Sequence, residues 1–264
     1  MPASTTDPQL LRPRNAKEAT VFLADHRDAV LIAGGTALQL AWTDGPPATL
    51  IAVDALPEAQ GLRMEDGMLR IGAAMQLETL RTNALVQEQA PLLARACGEI
   101  GALGVRNIAT LGGNIAWRMG DTLPALLVSG AEAELADGRR LPLAGLLKAG
   151  SLPLLLAIHW PMQATDFCFF EKLSHRASFS PSRLTIAGMR NADSLRLAAS
   201  AAGLPARRLL HCETLLQAGT SPASAALSAA ALADLDGDAA RGRLLARVLQ
   251  GVLETGAPHA GAPR

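Results

Sequence analysis

The stretch that decides the fold is Ala109-Thr110-Leu111-Gly112-Gly113-Asn114-Ile115. Its two adjacent glycines lack a Cβ atom, so the backbone there can turn sharply and lie close to a ligand. Thr110 brings a hydroxyl group, and Asn114 brings an amide that both donates and accepts hydrogen bonds. Exposed N–H groups in such a turn form a nest for an anionic oxygen, so the stretch predicts an anion site.

A second turn of the same kind, Ala33-Gly34-Gly35-Thr36, directly follows the apolar run Val30–Ile32. A Gly-Gly turn taken alone is usually only a turn. Two such turns, each with a hydroxyl residue beside its glycines, predict that both bind one diphosphate. Asp121, shortly after the second turn, is suited to accept hydrogen bonds from ribose hydroxyls. It is equally suited to cap a helix, and both roles are open.

The bulk composition points to a packed protein of two domains. The chain has 264 residues, of which 49% are hydrophobic and 18% are charged, and its 24 basic side chains balance its 24 acidic ones. A length well above about 150 residues favours two domains. A neutral chain has no general attraction for nucleic acid or for an anionic membrane, so neither is expected as a partner.

Location and redox state follow from what the sequence lacks. No apolar run reaches the roughly 18 residues of a membrane span, and residues 1–7 have neither the basic nor the apolar region of a secretory signal. The three cysteines, Cys97, Cys168 and Cys212, show no CxxC spacing. They predict reduced thiols and a cytoplasmic protein, and they are too few for the thiolate set of a usual iron–sulfur cluster.

Several familiar motifs are absent. The sequence has no GxGxxG fingerprint of dinucleotide-binding folds, no phosphate-binding GxxxxGK[ST] loop, no GxSxG nucleophile and no HExxH. The five histidines show no spacing typical of metal ligands. His211 and Cys212 are adjacent, and on a helix their side chains would point apart. No metal site is therefore predicted in this chain.

Periodicity and capping signals divide the chain into helices and strands. Asn15 to Glu18 forms a capping-box pattern that opens a helix through Ala24, and Asp121 is a candidate N-cap for a later helix. Thr36 is predicted to open a short helix through Ala41. Strands are predicted at Val30–Ile32, Thr49–Val53, Met68–Gly72, Ala131–Leu135, Leu154–Trp160, Cys168–Lys172, Leu184–Met189 and Ser194–Ala199, the last three in one antiparallel sheet. Further helices are predicted at Leu77–Arg81, Pro91–Ile100, His211–Gln217, Ala223–Leu235 and Ala239–Leu253.

Three segments together resemble the FAD-binding (medium) subunit of the molybdenum hydroxylases, the family of xanthine dehydrogenase and carbon monoxide dehydrogenase. They are Ala33–Thr36, Gly104–Asn114 and Gly120–Leu127. Farther along, Phe170–Arg176 and Leu195–Gly219 are similar to the start and the later part of that family's C-terminal domain. The resemblance therefore runs over nearly the whole chain.

The resemblance implies an α+β fold. It predicts a FAD-binding fold of the vanillyl-alcohol-oxidase (PCMH) type over residues 1–162, with two subdomains at about 1–56 and 57–162. A CO dehydrogenase flavoprotein-type α/β domain is predicted over residues 163–255. Residues 256–264 are rich in Gly, Pro and Ala and are predicted to be a flexible tail.

The resemblance also implies a set of FAD-binding positions. The segment from 31 to 38 would wrap the diphosphate, the segment from 110 to 114 would contact it from the other side, and Asp121 would hold the ribose. The flavin would be lined by Ile100, Leu155 and Lys172, although a lysine at a strand end is usually a solvated charge. The full set is Leu31, Ile32, Ala33, Gly34, Gly35, Thr36, Ala37, Leu38, Ile100, Thr110, Gly112, Gly113, Asn114, Asp121, Leu155 and Lys172. Neither turn contains a histidine or cysteine, so we expect a noncovalent flavin and assign no catalytic residue to this chain.

The loop from Ile115 to Gly120 departs from the family pattern. It is shorter than usual and carries Trp117, Arg118 and Met119, where relatives often have small residues and proline. The shortened loop would either open one flavin face or let Trp117 shield it. Packing of Trp117 on a partner subunit is a third possibility.

The function that the resemblance implies is electron transfer within a hydroxylase complex. In the family, substrate is oxidised at a molybdopterin cofactor in a large subunit, and 2Fe-2S clusters in a small subunit pass electrons to FAD. The electrons leave to NAD, oxygen or another acceptor. The expected partners are these two subunits, in a heterotrimer or its dimer. Two alternatives stay open: an assembly subunit with a degenerate FAD site, and a stand-alone flavin oxidase.

Overall fold

The computed structural model describes residues 8–43, 45–176, 180–192, 194–217 and 223–255. This part of the chain forms three β-sheets, with helices between and around them. The predicted tail at 256–264 lies outside the described residues. The mixed helix and sheet content agrees with the predicted α+β class.

The first sheet is small and parallel. Its strands β1 (Gln9–Leu11), β2 (Val30–Ile32) and β3 (Thr49–Ala52) lie in the order β1-β3-β2. Helix α1 (Ala16–Asp25) connects β1 to β2, and the Asn15 side chain accepts the Glu18 N–H at 2.9 Å, as predicted for its cap. Because β2 is an edge strand, the turn that follows it lies at the rim of the sheet. The helix predicted from Thr36 is only a 3₁₀ turn at Gln39–Ala41.

The second sheet is antiparallel and has five strands in the order β4-β5-β8-β6-β7. They are β4 (Leu62–Glu65), β5 (Met68–Gly72), β6 (Glu132–Leu135), β7 (Arg140–Pro142) and β8 (Leu155–Pro161). The hairpin predicted at Asp137-Gly138 joins β6 to β7, with Gly138 at φ +81°. This sheet supplies the surface on which the central glycine stretch is placed.

Seven short helices lie between β5 and β8 in the sequence, six of them before β6 and one after β7. They are α2 (Leu77–Thr82), α3 (Ala84–Gln89), α4 (Pro91–Gly98), α5 (Leu103–Arg106), α6 (Leu111–Ala116), α7 (Leu123–Ser129) and α8 (Leu143–Leu146). Helix α7 is buried along its whole length and ends at Gly130 in the left-handed conformation, φ +78°. Within the described ranges, no helix is both long and apolar enough to cross a membrane.

The third sheet has one strand more than predicted. Strands β9 (Phe167–Ser174), β10 (Ser182–Arg190), β11 (Leu195–Ala201) and β12 (Leu204–Arg208) pair antiparallel in sequence order. Strand β12 was missed because it contains Pro205 and two consecutive arginines, and it pairs only at the sheet edge, where proline is tolerated. Three helices follow, α9 (Leu210–Gln217), α10 (Ser224–Asp234) and α11 (Ala239–Thr255).

Two hydrophobic cores lie on opposite faces of the third sheet. Consecutive side chains of a strand point to opposite faces, so Phe170 enters the first core and Phe169 enters the second. The first core also includes Ala187, Met189 and Ala198 of the third sheet, beside the residues of α7 and the second sheet. This core therefore crosses the domain boundary predicted at residue 162.

Candidate cofactor-binding site

The two glycine stretches meet in space. We call residues 33–38 the first glycine turn and residues 109–114 the second glycine turn. Gly34 packs so closely that a Cβ atom built on it would overlap the carbonyl oxygen of Ile108 and lie 3.2 Å from the Cα atom of Ala109. Only glycine permits this approach of two backbones. Segments that are far apart in sequence therefore lie directly against each other, and the binding of one diphosphate by both turns stays a prediction.

The first glycine turn presents a row of free backbone donors. Among the described residues, the N–H groups of residues 34–38 donate to no protein acceptor, although these residues are half-buried. Gly35 adopts φ +66°, the left-handed conformation that lets consecutive N–H groups converge. Half-buried donors without an acceptor are costly unless a ligand or water accepts from them. Within the part of the chain that the structure describes, this row is the main sign of an anion-binding site.

The second glycine turn has no such nest, and this part of the prediction is wrong. It forms the N-terminus of α6, where the Leu111 N–H donates to the Met75 carbonyl at 3.0 Å and the Gly112 N–H donates to the Ala73 carbonyl at 2.7 Å. The Gly113 N–H donates to the Thr110 hydroxyl at 3.2 Å. These bonds occupy the N–H donors that a phosphate would need. The second glycine turn can therefore contribute a surface without bulky side chains, but no free N–H groups.

The two glycines of α6 have different surroundings. A Cβ atom on Gly112 would lie 2.9 Å from the Ala73 carbonyl oxygen, so Gly112 is needed for packing against the segment after β5. A Cβ atom on Gly113 would meet only the Thr110 hydroxyl, at 3.0 Å, and the residue is exposed. Gly113 thus leaves open space on the outer face of the turn.

Asn114 holds the second glycine turn to the start of α7. Its Oδ1 atom accepts from the Thr122 hydroxyl at 2.6 Å and from the Thr122 N–H at 3.2 Å. A Cβ atom on Gly120 would overlap Asn114, so the chain needs glycine there. Among the described residues, the Asn114 Nδ2 group donates to no protein acceptor, which leaves it available to a ligand.

Asp121 and Lys172 form a largely buried ion pair. The Lys172 Nζ atom lies 2.9 Å from Asp121 Oδ2 and donates to the Glu99 carbonyl at 2.6 Å, and the two side chains are 10% and 14% exposed. Asp121 Oδ1 accepts from the Thr185 hydroxyl at 2.6 Å. The capping role considered for Asp121 is wrong, because Thr122 occupies the N-cap position of α7. The reading of Lys172 as a solvated charge is wrong as well.

Ile100 and Leu155 lie at the ends of elements that border the glycine turns. Ile100 follows α4, one residue after the carbonyl that Lys172 binds. Leu155 begins β8 and is 8% exposed. The carbonyl of the following residue, Leu156, accepts from the Ala73 N–H at 2.9 Å. The structure therefore brings Ile100 near Lys172, and Leu155 near the segment that supports Gly112.

Arg106 is a structural residue to which the sequence analysis gave no role. Its guanidinium donates to the Ile100 carbonyl at 3.2 Å, to the Gly101 carbonyl at 3.0 Å and to Glu78 at 2.6 Å. Hydrogen bonds from Arg81 and from Arg106 lower the pKa of Glu78 from 4.5 to about 2. This cluster fixes the segment that carries Ile100. The sequence signal that could have indicated this role is the position of Arg106 inside the stretch Gly104–Asn114, which carries the family resemblance.

The short loop before Asp121 is anchored from two sides. The Arg118 carbonyl accepts from the Ala206 N–H of β12 at 2.8 Å, and the Arg118 guanidinium donates to the Leu147 and Ala149 carbonyls, each at 2.8 Å. Arg118 has φ +58°, a strained conformation for a side-chain-bearing residue. Trp117 remains 37% exposed. The loop is thus held in place by the third sheet, with its tryptophan turned partly to solvent.

A cavity of about 470 Å³ lies elsewhere, between the third sheet and α11. It is lined mainly by apolar side chains, including Phe167, Phe169, Leu197 and Leu249, with Arg190 at its edge. It contains none of the predicted site residues. The candidate site is therefore defined by the two glycine turns and their hydrogen bonds.

The residues present fit a dinucleotide cofactor with a diphosphate. The free N–H row of the first glycine turn supplies donors for phosphate oxygens, and the open face at Gly113 leaves room beside them. The Asp121 carboxylate stands on the same connection as Asn114 and retains lone pairs for a hydroxyl group. Around these turns the described chain offers no group of three His, Cys, Asp or Glu side chains that could hold a metal ion.

Comparison with known proteins decides the family. Residues 5–155 match the model of the FAD binding domain in molybdopterin dehydrogenase. This chain belongs to that family. The family predicted from Ala33–Thr36 and Gly104–Asn114 is thereby confirmed.

Relatives and solved structures agree with this assignment. The chain is 31% identical over 169 residues to the xanthine dehydrogenase FAD-binding subunit of Escherichia coli O157:H7, an alignment that covers 59% of this chain and 58% of that protein. It is 36% identical over 121 residues to the carbon monoxide dehydrogenase medium chain of Hydrogenophaga pseudoflava, covering 44% and 42% of the two chains. The chain thus aligns with less than two thirds of the length of these relatives.

The fold match extends farther than the sequence match. A chain in the structure of a carbon monoxide dehydrogenase from Hydrogenophaga pseudoflava, lacking the Mo-pyranopterin moiety of its molybdenum cofactor, superposes with a TM-score of 0.79. The identity is 26%, and the match covers 94% of this chain and 96% of that one. The predicted fold, a PCMH-type FAD-binding fold with a CO dehydrogenase flavoprotein-like C-terminal part, is confirmed.

Proposed function

We propose that this chain is the FAD-binding, electron-transferring subunit of a molybdenum-containing hydroxylase. The observation that carries the proposal is the row of free N–H groups at residues 34–38, packed against Ile108 and Ala109 of a chain that belongs to the FAD-binding family. An apolar or cationic ligand would leave those donors unsatisfied. A diphosphate accepts from them and compensates for their desolvation.

Several of the predicted residues have a physical task in holding the cofactor. The N–H groups of the first glycine turn bind the diphosphate oxygens, and Gly113 keeps the opposite side free of side chains. Asn114 donates through Nδ2 once Oδ1 is occupied by Thr122. The Asp121 carboxylate accepts from the ribose. Ile100, Leu155 and Lys172 border the flavin ring.

Bound FAD would supply the redox chemistry, namely electron transfer between the 2Fe-2S clusters of a small subunit and NAD, oxygen or another acceptor. The protein binds and orients the cofactor and excludes water. Substrate oxidation belongs to a molybdopterin-bearing large subunit. Exposed apolar side chains beside the site, Leu103 at 55%, Ile108 at 54% and Trp117 at 37%, support the docking of a partner there.

Flavin uptake by the purified chain tests the proposal. The chain is incubated with excess FAD, desalted, and its flavin absorbance is compared with its protein content. We expect about one noncovalent FAD per chain, released on denaturation. A folded chain that takes up no flavin would contradict the proposal and favour the alternative of an assembly subunit.

Copurification tests the partners. The tagged chain is coexpressed with the products of the neighbouring genes, and the isolated complex is analysed for molybdenum, iron and flavin. The proposal expects all three in a complex with two further subunits. A flavin-loaded chain that oxidises substrate alone, without molybdenum or iron, would instead support the stand-alone oxidase.

A further inference from the structure

One buried hydroxyl group of the third sheet reaches into the candidate site. Thr185 is fully buried on β10, and its hydroxyl donates to Asp121 Oδ1 at 2.6 Å. Its sheet neighbour across to β9 is Lys172, whose Nζ atom binds the other carboxylate oxygen at 2.9 Å. Two cross-strand partners therefore hold the two oxygens of one carboxylate.

The arrangement ties the third sheet to the segment that carries the glycine turns. Asp121 lies between Gly120 and the N-cap of α7, whereas Thr185 and Lys172 both lie beyond residue 162. Nearby, the Ser200 hydroxyl lies 3.4 Å from the Gly120 carbonyl, and the Ala206 N–H binds the Arg118 carbonyl. Contacts between the two parts of the chain thus cluster along residues 118–121, and two of them reach the Asp121 carboxylate.

We propose that Thr185 is a positioning residue for the cofactor, acting through Asp121. This inference rests on the proposed function, because it assigns the carboxylate of Asp121 to the ribose of FAD. An aspartate side chain can change its χ1 rotamer and turn its carboxylate plane about the broad χ2 torsion unless its oxygens are bound. Lys172 alone is a point charge with a flexible stem, and it fixes the distance to the carboxylate but not its plane. The Thr185 hydroxyl supplies the second contact that fixes the plane.

Binding of FAD to matched variants tests the inference. Thr185→Val removes the hydroxyl and keeps the branched shape, whereas Thr185→Ser keeps the hydroxyl. We expect the Kd for FAD to rise about tenfold in Thr185→Val and to return close to the wild-type value in Thr185→Ser. Ser129→Ala is the control, since Ser129 carries a fully buried hydroxyl on α7 that donates to the Leu126 carbonyl within its own helix. Its Kd should match that of the wild type.

A double-mutant cycle separates positioning from a general structural effect. In an Asp121→Ala background, Thr185→Val should change the Kd by less than about twofold, because its only route to the cofactor is gone. An equal loss in both backgrounds, or a wild-type Kd in Thr185→Val, would overturn the inference. If Thr185→Val unfolds, Thr185→Ala gives the same comparison without the branched side chain. A wild-type chain that binds no FAD would refute the proposed function instead, so the two failures are distinguishable.

Discussion

At the residue scale, the two adjacent glycines of α6 have different structural roles. Gly112 packs closely, because a Cβ atom on it would lie 2.9 Å from the Ala73 carbonyl oxygen, whereas Gly113 is exposed and a Cβ atom there would meet only the Thr110 hydroxyl. The sequence alone treats them as equivalent. The contact with Ala73 distinguishes them, and it joins residues that no local pattern connects.

The pair gives a matched prediction. Gly113→Val should abolish FAD binding with little change in the free energy of unfolding, since its side chain projects into the space left for the diphosphate. Gly112→Val should lower the free energy of unfolding by about 1–3 kcal/mol through overpacking. Chemical denaturation measures the stability of both variants, and FAD titration measures their affinity for the cofactor. Gly145→Val is the control, because Gly145 is exposed and has free space around it. Equal FAD affinity in Gly113→Val and Gly145→Val would count against the site.

Lys172 gives a second prediction at this scale. Lys172→Met leaves the Asp121 carboxylate with no cation in a largely buried position, so we expect it to lower the free energy of unfolding by about 3 kcal/mol. Arg139→Met is the control, because its pair with Asp137 is mostly exposed and solvent-screened, so its loss should hardly change the free energy of unfolding. Thermal and chemical unfolding provide the comparison. A Lys172→Met effect no larger than that of Arg139→Met would restore the solvated-charge reading.

At the scale of elements, the contact between the first glycine turn and the α5–α6 connection is central. Gly34→Ala places a Cβ atom on the Ile108 carbonyl, and the two segments must move apart. We expect weaker FAD binding, by about tenfold or more, together with lower stability. Gly104→Ala is the control, since Gly104 lies in α5 with free space around it. Equal FAD affinities of Gly34→Ala and Gly104→Ala in a titration would contradict the importance of this contact for the site.

The anchor of α5 makes a prediction about pH. Glu78 has its pKa lowered from 4.5 to about 2 by Arg81 and Arg106, so its contribution to stability is complete above pH 4.5. That contribution is lost as the pH falls toward 2. Glu78→Gln should therefore be less stable than the wild type at pH 7, by about 2 kcal/mol, with the gap closing in acid. Denaturation at several pH values measures the difference in the free energy of unfolding between the two proteins. A difference that grew below pH 4.5 would contradict the prediction.

Most elements could be predicted because their signals are local. The Asn15 cap, the apolar run Val30–Ile32 and the Asp137-Gly138 hairpin each depend on neighbours in the sequence, and each is where it was predicted. Strands β1 and β4 were missed because they are short and half-exposed, with burial set by pairing to β3 and β5. Local pattern carries little of that information.

The errors at the site have the same origin. The N–H groups of α6 are occupied by carbonyls of Ala73 and Met75, and the sequence gives no sign that this distant segment reaches them. Asp121 was considered as a cap because it precedes α7, but Lys172 and Thr185 take its oxygens. Long-range partners decided both outcomes, and only the tertiary structure supplies them.

At the scale of the whole molecule, the cofactor site depends on parts from both sides of residue 162. The first core contains Phe170 and Met189 beside residues of α7, and the carboxylate of Asp121 is held from the third sheet. The part of the chain after residue 162 therefore supplies side chains that hold the Asp121 carboxylate. The structural likeness to a chain of the carbon monoxide dehydrogenase from Hydrogenophaga pseudoflava covers 94% of this chain, whereas the sequence alignment with the medium chain covers 44% of it.

The central claim is that two remote glycine turns close on one diphosphate. A crystal structure of the chain with FAD tests it most directly. We predict that the diphosphate oxygens lie within about 3 Å of the N–H groups of residues 34–38, with the outer face of Gly113 against the same group. A diphosphate bound elsewhere on the chain, with those N–H groups still free, would contradict the account.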